Sequence, residues 1–233
     1  QREKMSKNIL ITGCSSGLGL ALTEFYLEKG FNVYGISRSK PDITNENFHF
    51  KSFDLSKIKE IKPVLKDFIQ NIKSIENVYL NAGMLGEIKS SFDLSIDELN
   101  EVYELNVYAN KELLDILASI EVAKVVAISS GASNNGSKGW GSYSLSKAGV
   151  NMLINLYSTE MLNTRLYAIA PGVIETPMTD YIRFEIDDDI YTSAKRLKEG
   201  HIQTASEAAK RLHEALEISQ DIKSGSFFDV RDI

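Results

Sequence analysis

The segment Asn8-Ile9-Leu10-Ile11-Thr12-Gly13-Cys14-Ser15-Ser16-Gly17-Leu18-Gly19 is the strongest indication of the fold in this chain of 233 residues. Its first five residues form a short apolar run of the kind found in buried parallel strands. Glycines follow at once, and residues 20–29 then carry apolar side chains at helical spacing until Gly30. The segment therefore predicts a strand, a glycine loop and a helix in direct succession.

The glycine loop is a candidate binding site for a pyrophosphate. Backbone amides at the start of a helix point outward without partners, and the helix dipole is positive there. The spacing over residues 13–19 is GxxxGxG, which differs from the GxGxxG of the common dinucleotide fingerprint. A glycine triplet alone is a weak signal, but its position between an N-terminal strand and a helix strengthens it.

Predicted strands and helices alternate along the rest of the chain. We expect further strands at residues 31–37, 48–53, 78–80, 122–128, 166–170 and 226–230, and further helices at residues 56–72, 95–119, 141–162 and 206–218. This alternation predicts an α/β fold with a mostly parallel sheet and helices on both faces. Since no boundary rich in Pro, Gly and Ser interrupts it, we expect residues 1–233 to form a single domain.

Capping residues and a proline add detail to the prediction of two of these helices. Ser56 is a candidate N-cap, and Pro63 predicts a kink or a break inside the helix that follows it. Ser95 stands three residues before Glu98, which is the capping-box pattern at the start of a long helix.

Composition excludes several classes of protein. The chain is 43% apolar and 25% charged, which is ordinary for a globular protein. A net charge of −6 argues against nucleic-acid binding, which needs a concentrated basic face. His49, His201 and His213 have no partner pattern that indicates a metal site, so we expect no metal.

The sequence also bears on location. Cys14 is the only cysteine, so no intrachain disulfide can form. No apolar run reaches the length of a membrane span, and no signal-peptide pattern opens the chain, so we expect a cytoplasmic protein that binds no membrane. We interpret residues 1–4, which precede Met5, as a remnant outside the natural protein.

Tyr143 and Lys147 are a candidate chemical pair. On the predicted helix they are four residues apart, so their side chains leave the same face. A neighbouring ammonium favours the phenolate, which predicts a Tyr143 pKa below the usual value of about 10. By itself, such a pair also fits an ordinary helix surface.

These residues belong to a larger set that resembles the short-chain dehydrogenase/reductase family. The set comprises residues 12–19, Asn81-Ala82-Gly83, Asn106, Ser130, Tyr143 with Lys147, and Pro171-Gly172-Val173-Ile174-Glu175-Thr176. The motifs follow the order and spacing of the family over residues 8–176, and the C-terminal strand fits it too. The resemblance implies a doubly wound, Rossmann-type sheet of seven strands, with a nicotinamide cofactor across the carboxyl ends of the strands.

The resemblance also implies catalytic roles. Tyr143 looks like the general acid or base that moves a proton at the carbonyl oxygen. Lys147 resembles the residue that binds the nicotinamide ribose and lowers the Tyr143 pKa. Ser130 is the candidate that binds the substrate oxygen, and the adjacent Ser129 is interpreted as structural. Asn106 looks like the asparagine that helps to hold a water for proton relay through the lysine.

The cofactor-binding residues follow from the same resemblance. They are Gly13, Ser15, Ser16, Gly17, Leu18, Gly19, Ser37, Arg38, Asp54, Leu55, Asn81, Ala82, Gly83, Tyr143, Lys147, Pro171, Gly172, Val173 and Thr176. Asp54 and Leu55 match the family pair beside the adenine, with Asp54 as a capping aspartate the competing interpretation.

Charge at the end of the second strand indicates which cofactor is bound. NAD-binding members of such folds place an acidic residue there, which accepts hydrogen bonds from the ribose and repels a 2′-phosphate. Here the strand ends in Ile36-Ser37-Arg38-Ser39, without an acid. Arg38 offers a planar, charged fork suited to phosphate. We therefore expect NADP(H) to be preferred over NAD(H).

Residues 175–202 occupy the family's substrate-loop position. Met178 and Tyr181 are candidate substrate contacts, although simple packing fits them equally well. Residues 138–143 and 225–232 look similar to the sepiapterin reductase and benzil reductase branch, which reduces ketones next to a second carbonyl. Trp140 is either a wall for such a substrate or an anchor in the core or an interface.

Two other functions remain open at this stage. A 3-oxoacyl carrier-protein reductase would share the same catalytic residues, although this acidic chain shows no basic docking cluster for an acidic carrier. A regulatory protein that binds NADP without chemistry would not need Ser130, Tyr143 and Lys147. The resemblance also implies a homodimer or homotetramer formed through the helices around Asn106 and Tyr143.

Overall fold

A parallel sheet of seven strands forms the centre of the fold. The computed structural model describes residues 7–233, so the proposed remnant at residues 1–4 lies outside the described residues. The strands are β1 (Asn8–Thr12), β2 (Asn32–Ser37), β3 (Phe48–Ser52), β4 (Ser74–Leu80), β5 (Glu121–Ile128), β6 (Arg165–Ala170) and β7 (Phe227–Asp229). Their order is β3-β2-β1-β4-β5-β6-β7, and every pairing is parallel. The predicted α/β fold with seven strands is confirmed.

Helices connect the strands. They are α1 (Gly17–Glu28), α2 (Ile58–Ile69), α3 (Ile96–Tyr103), α4 (Ala109–Leu117), α5 (Gly141–Ser158), α6 (Pro177–Glu185), α7 (Thr192–Glu199) and α8 (Ala205–Ile218). A π-helical segment, Glu104–Tyr108, joins α3 to α4. Short 3₁₀ turns lie at Gly131–Ser133 and Ser219–Asp221.

The sheet has a hydrophobic core on each face. Leu10 of β1 packs into one core with α2, α4 and α5, whereas Ile9 and Ile11 pack into the other with α1 and α8. Because both faces of the sheet are covered, successive strand residues are all apolar, and this explains the uninterrupted apolar runs of the sequence.

The helix around Pro63 differs from the prediction. Lys57, not Ser56, is the N-cap, and α2 runs through Pro63 without a break. The Ser56 side chain instead donates to Asp54 Oδ1, 2.8 Å away. Ile61, Leu65 and Ile69 bury one face of α2, while Pro63 is exposed, so the hydrogen bond that proline removes lies on the solvent side. Packing of the buried face holds the helix together.

The long helix predicted over residues 95–119 is one helical run with a π segment in its middle. Ser95 and Glu98 form the predicted capping box at its start. The π segment inserts an extra residue into the turn that contains Asn106, and such segments are frequent at functional sites. Residue spacing alone does not reveal it.

Within residues 7–233, no helix is long and apolar enough to cross a membrane. The cytoplasmic location stays a prediction.

Candidate active site

The motif residues meet at one edge of the sheet. From β1 the chain first adds β2 and β3 on one side, and then crosses to β4 and the later strands on the other. Such a reversal of strand order opens a crevice at the carboxyl ends of the strands, where doubly wound folds bind ligands. The glycine loop follows β1, and the loops after β4, β5 and β6 lie at the same edge.

The glycine loop forms a cradle that side chains would fill. Gly13 and Gly17 have φ angles of +69° and +51°, which other residues rarely adopt. A Cβ on Gly19 would lie 2.0 Å from the Gly13 carbonyl oxygen. Ser16 is the N-cap of α1 but its side chain makes no capping hydrogen bond, and the first turn holds no acidic residue. The amides of this turn are free of side-chain caps and fit the pyrophosphate of a dinucleotide.

Thr12 and Asn81 fix the loop after β4 against the glycine loop. The Thr12 hydroxyl accepts from the backbone N–H groups of Asn81 and Ala82, at 2.9 and 3.0 Å. The Asn81 amide donates to the carbonyl oxygens of Thr12 and Gly13, at 3.0 and 3.2 Å. The Asn81 side chain therefore shapes the cradle. The sequence analysis did not predict this role of Thr12, although Thr12 belongs to the motif at residues 12–19.

Asn106 is buried, and both polar atoms of its side chain are hydrogen-bonded. Its Oδ1 accepts from Met84 N–H at 2.8 Å, and its Nδ2 donates to Met84 O and to Ser146 Oγ, both at 2.9 Å. The Asn106 carbonyl oxygen accepts from Asn110 Nδ2 at 2.8 Å, which leaves it a second lone pair. This backbone carbonyl is the candidate acceptor for the water. Asn110 was not predicted, because its contact depends on the helix geometry.

Tyr143 and Lys147 lie on α5 as expected, with Lys147 Nζ 5.6 Å from the centroid of the Tyr143 ring. Gly83 packs beside them, since a Cβ there would lie 3.6 Å from Lys147 Nζ. Lys147 is buried and donates to the Ile128 carbonyl oxygen at 2.7 Å. The pair is therefore part of the site and not of an exposed helix surface.

The predicted direction of the Tyr143 pKa shift is wrong for this structure. Desolvation raises the pKa of Tyr143 to about 12, and the nearby Ser130 hydroxyl acts in the opposite direction. Burial also lowers the pKa of Lys147 to about 8. Desolvation disfavours the phenolate and is the larger of the two effects on the pKa of Tyr143. Tyr143 is therefore protonated at neutral pH.

The serines after β5 have separate roles. Ser130 Oγ accepts from Ala132 N–H at 3.1 Å, and its hydroxyl lies close enough to the Tyr143 phenol to lower the pKa of that group. Ser129 is buried, and its hydroxyl donates to Asn151 Oδ1 at 2.6 Å. This contact agrees with the structural role predicted for Ser129, and it leaves Ser130 beside the phenol.

The end of β2 carries the residues expected to contact the adenosine part of the cofactor. Arg38 is exposed, whereas Ser37 is buried and donates its hydroxyl hydrogen to Ser39 O at 2.8 Å. Asp54 Oδ1 accepts from Ser56 N–H at 3.0 Å and from its hydroxyl, as the capping interpretation requires. Those hydrogen bonds lower the pKa of Asp54, although partial desolvation acts in the opposite direction. The Leu55 side chain is buried in the core.

Gln203 holds the segment Pro171–Thr176 and was not found from the sequence. Its Nε2 donates to Pro171 O at 2.5 Å, and its backbone bonds with Val173 O and Glu175 N–H. Thr176 caps α6 by accepting from Thr179 N–H at 3.2 Å. The Thr176 methyl group would lie 3.1 Å from a Cβ on Gly17, so this segment closes onto the glycine loop.

The substrate-loop segment folds into α6 and α7 and packs on Trp140. The buried residues of this cluster are Leu85, Trp140, Ile182 and Ala194, and Met178 and Tyr143 pack against them. The structure does not place Tyr181 in the cluster, because Met178 and Ile182, four residues apart, occupy the inner side of α6. Tyr181 is 40% exposed.

Together, the strand order, the glycine cradle and the Ser130, Tyr143 and Lys147 cluster define a nucleotide-binding oxidoreductase of the doubly wound class. The family model for short chain dehydrogenases matches residues 7–186, and the chain belongs to that family. Members of this family use a nicotinamide cofactor.

Known relatives agree with this assignment. The chain is 31% identical to benzil reductase ((S)-benzoin forming) of Bacillus subtilis, over 96% of this chain and 98% of the relative. The enzyme of the same name from Bacillus cereus is also 31% identical, over 91% and 94%. The solved short chain dehydrogenase/reductase YIR035C of Saccharomyces cerevisiae superimposes with a TM-score of 0.84 at 24% identity, over 97% of each chain. That last likeness shows the fold alone.

Proposed function

We propose that the protein reduces a ketone next to a second carbonyl to the alcohol, with NADPH as the cofactor. The observation that carries this proposal is the position of Ser130 next to the Tyr143 phenol, beside Lys147 and the glycine cradle. The two Bacillus relatives support the substrate class, because benzil is a 1,2-diketone.

In the proposed reaction, Tyr143 transfers the proton to the substrate. When bound, the nicotinamide supplies the hydride. Ser130 donates a hydrogen bond to the substrate oxygen, and Tyr143 donates the proton to it. With a pKa of about 12, Tyr143 is in the protonated form that this step needs. Lys147, fixed by its bond to Ile128 O, holds the ribose. A water on the carbonyl oxygen of Asn106 returns the proton to the site through Lys147.

A substrate panel tests this function. We expect NADPH oxidation to be fastest with 1,2-diketones, in a comparison with sepiapterin and an acetoacetyl thioester. Activity on the thioester alone would instead support a 3-oxoacyl carrier-protein reductase. An inactive protein that still binds NADPH would support the regulatory alternative.

Cofactor preference depends on Arg38 in this proposal. We expect Arg38→Ala to raise the Kd for NADPH by roughly 10- to 100-fold, the worth of a charge-assisted hydrogen bond to phosphate. The Kd for NADH should change little, because NADH lacks the 2′-phosphate. Titration of both cofactors measures the two constants.

Lys73→Ala is the matched control for Arg38→Ala. It removes one exposed positive charge at the start of β4, which is the opposite edge of the sheet. We expect it to leave both dissociation constants unchanged. Tighter binding of NADH than of NADPH by the unaltered protein contradicts the cofactor proposal.

We further propose that the protein is a homodimer or homotetramer. Leu145, Met152 and Leu156 are exposed on α5, at spacings that place them on one side of the helix. Tyr108, in the π segment, is also exposed. Apolar side chains aligned in this way favour burial against a second copy. Size-exclusion chromatography with light scattering measures the mass, and a monomer at micromolar concentration contradicts the proposal.

A further inference from the structure

Trp140 carries a buried hydrogen-bond donor that no protein group satisfies. The residue is 8% exposed, and its Nε1 has no partner. Across residues 7–233, only three buried side-chain polar atoms lack a partner, and the others are Asn77 Oδ1 and Ser144 Oγ. Buried donors without acceptors are costly and rare, so each calls for an explanation.

The surroundings of the indole explain why it has no partner. The buried neighbours of Trp140 are Leu85, Ile182 and Ala194, whose side chains offer no acceptor, and the hydroxyls of Tyr143 and Tyr191, which pack against this cluster, make no hydrogen bond with Nε1. Helices α6 and α7 contribute Ile182 and Ala194 and cover the indole from the substrate-loop side. A group that reaches the indole from this side must therefore displace α6 or α7.

The indole also lies next to the reacting group. Its ring meets the Tyr143 ring edge to face, with 6.0 Å between the centroids. In the proposed function, Tyr143 and Ser130 hold the carbonyl oxygen that is reduced. The atoms next to that carbonyl then lie beside Trp140. A second carbonyl at this position accepts hydrogen bonds but cannot donate them. It is therefore a suitable partner for the indole N–H group, which can only donate.

We propose that Trp140 Nε1 donates a hydrogen bond to the second carbonyl oxygen of a 1,2-dicarbonyl substrate and thereby selects such substrates over simple ketones. This inference rests on the proposed function. The substrate reaches the indole when α6 and α7 move away from it, and it supplies the acceptor that the free protein lacks. A simple ketone leaves the donor without a partner, so the site discriminates against it.

The single tryptophan of the chain allows a direct test. Expression in a tryptophan auxotroph with 3-benzothienylalanine replaces the indole N–H by sulfur at Trp140 alone, with little change of shape. We expect kcat/KM for 1-phenyl-1,2-propanedione to fall roughly 10- to 100-fold, and kcat/KM for acetophenone to stay unchanged. An unchanged ratio of the two values overturns the inference.

Two further variants separate the N–H group from the aromatic ring. Protein labelled with 5-fluorotryptophan keeps the donor, and we expect it to retain the selectivity. Trp140→Phe keeps an aromatic ring without the donor, and we expect it to lose the selectivity, with folding checked by thermal unfolding. An equal loss on both ketones in the benzothienyl protein shows a role in packing alone and overturns the inference. If the unaltered protein reduces neither ketone, the proposed function fails, and this inference fails with it.

Discussion

Tyr143→Phe is expected to lower kcat for ketone reduction by roughly 10²- to 10⁴-fold, the contribution of a positioned general acid. The change removes the phenol oxygen that donates the proton. It keeps the ring that packs against Trp140 edge to face. It also leaves the glycine cradle intact, so we expect the Kd for NADPH to change by less than about threefold.

Steady-state kinetics with a diketone and an NADPH titration measure these two effects separately. Tyr34→Phe is the matched control. The Tyr34 ring stacks on His49 across β2 and the edge strand β3, and the same loss of a hydroxyl there should leave kcat unchanged. Near-normal turnover by Tyr143→Phe would contradict the proposed role of Tyr143 as the general acid.

The sheet could be predicted from the sequence because its strands are buried on both faces. Leu10 and its neighbours Ile9 and Ile11 face different cores, so all three must be apolar, and an uninterrupted apolar run marks the strand. Helix α2 was less predictable. Whether a helix survives at Pro63 depends on which of its faces is buried, and that is a property of the tertiary structure.

The same limit applies to the site. The spacing of Tyr143 and Lys147 placed both residues on one helix face, but it said nothing about burial. Burial sets the sign of the Tyr143 pKa shift, so the sequence predicted the contact and missed the direction. Gln203 and Asn110 were missed for a related reason, because their partners are backbone groups. Backbone contacts leave no signature in residue types.

Trp140 shows a third kind of limit. Its position three residues before Tyr143 indicated a place near the substrate, and the sequence left open whether it forms a wall or an anchor. The structure shows that the indole packs in an apolar cluster and that its N–H group has no partner. An unsatisfied donor is a property of the whole environment of a side chain. Only coordinates reveal it.

Gly19→Ala is expected to abolish tight NADPH binding. A Cβ at this position would lie 2.0 Å from the Gly13 carbonyl oxygen and 2.6 Å from Asn81 Nδ2. The Gly13 oxygen also accepts from Asn81, so the clash displaces both sides of the cradle. Overpacking costs about 1–3 kcal/mol, and the cost is higher where the neighbouring atom belongs to the backbone. We therefore expect the affinity for NADPH to fall by at least a factor of roughly 10 to 100.

Thermal unfolding with and without NADPH, together with a titration, measures this loss. Gly136→Ala is the matched control, because a Cβ there would meet no atom within 4 Å.

The direction of the change in stability distinguishes a rigid glycine loop from one that opens easily. Gly19 lies in α1 without a positive φ, so helix propensity alone predicts that alanine stabilises the protein by about 0.5–1 kcal/mol. If the contact with Gly13 dominates, Gly19→Ala instead lowers the unfolding temperature and removes the stabilisation by NADPH. A variant that is stabilised and binds NADPH normally would show that the loop opens easily, and the cradle would then not be the rigid phosphate site proposed for it.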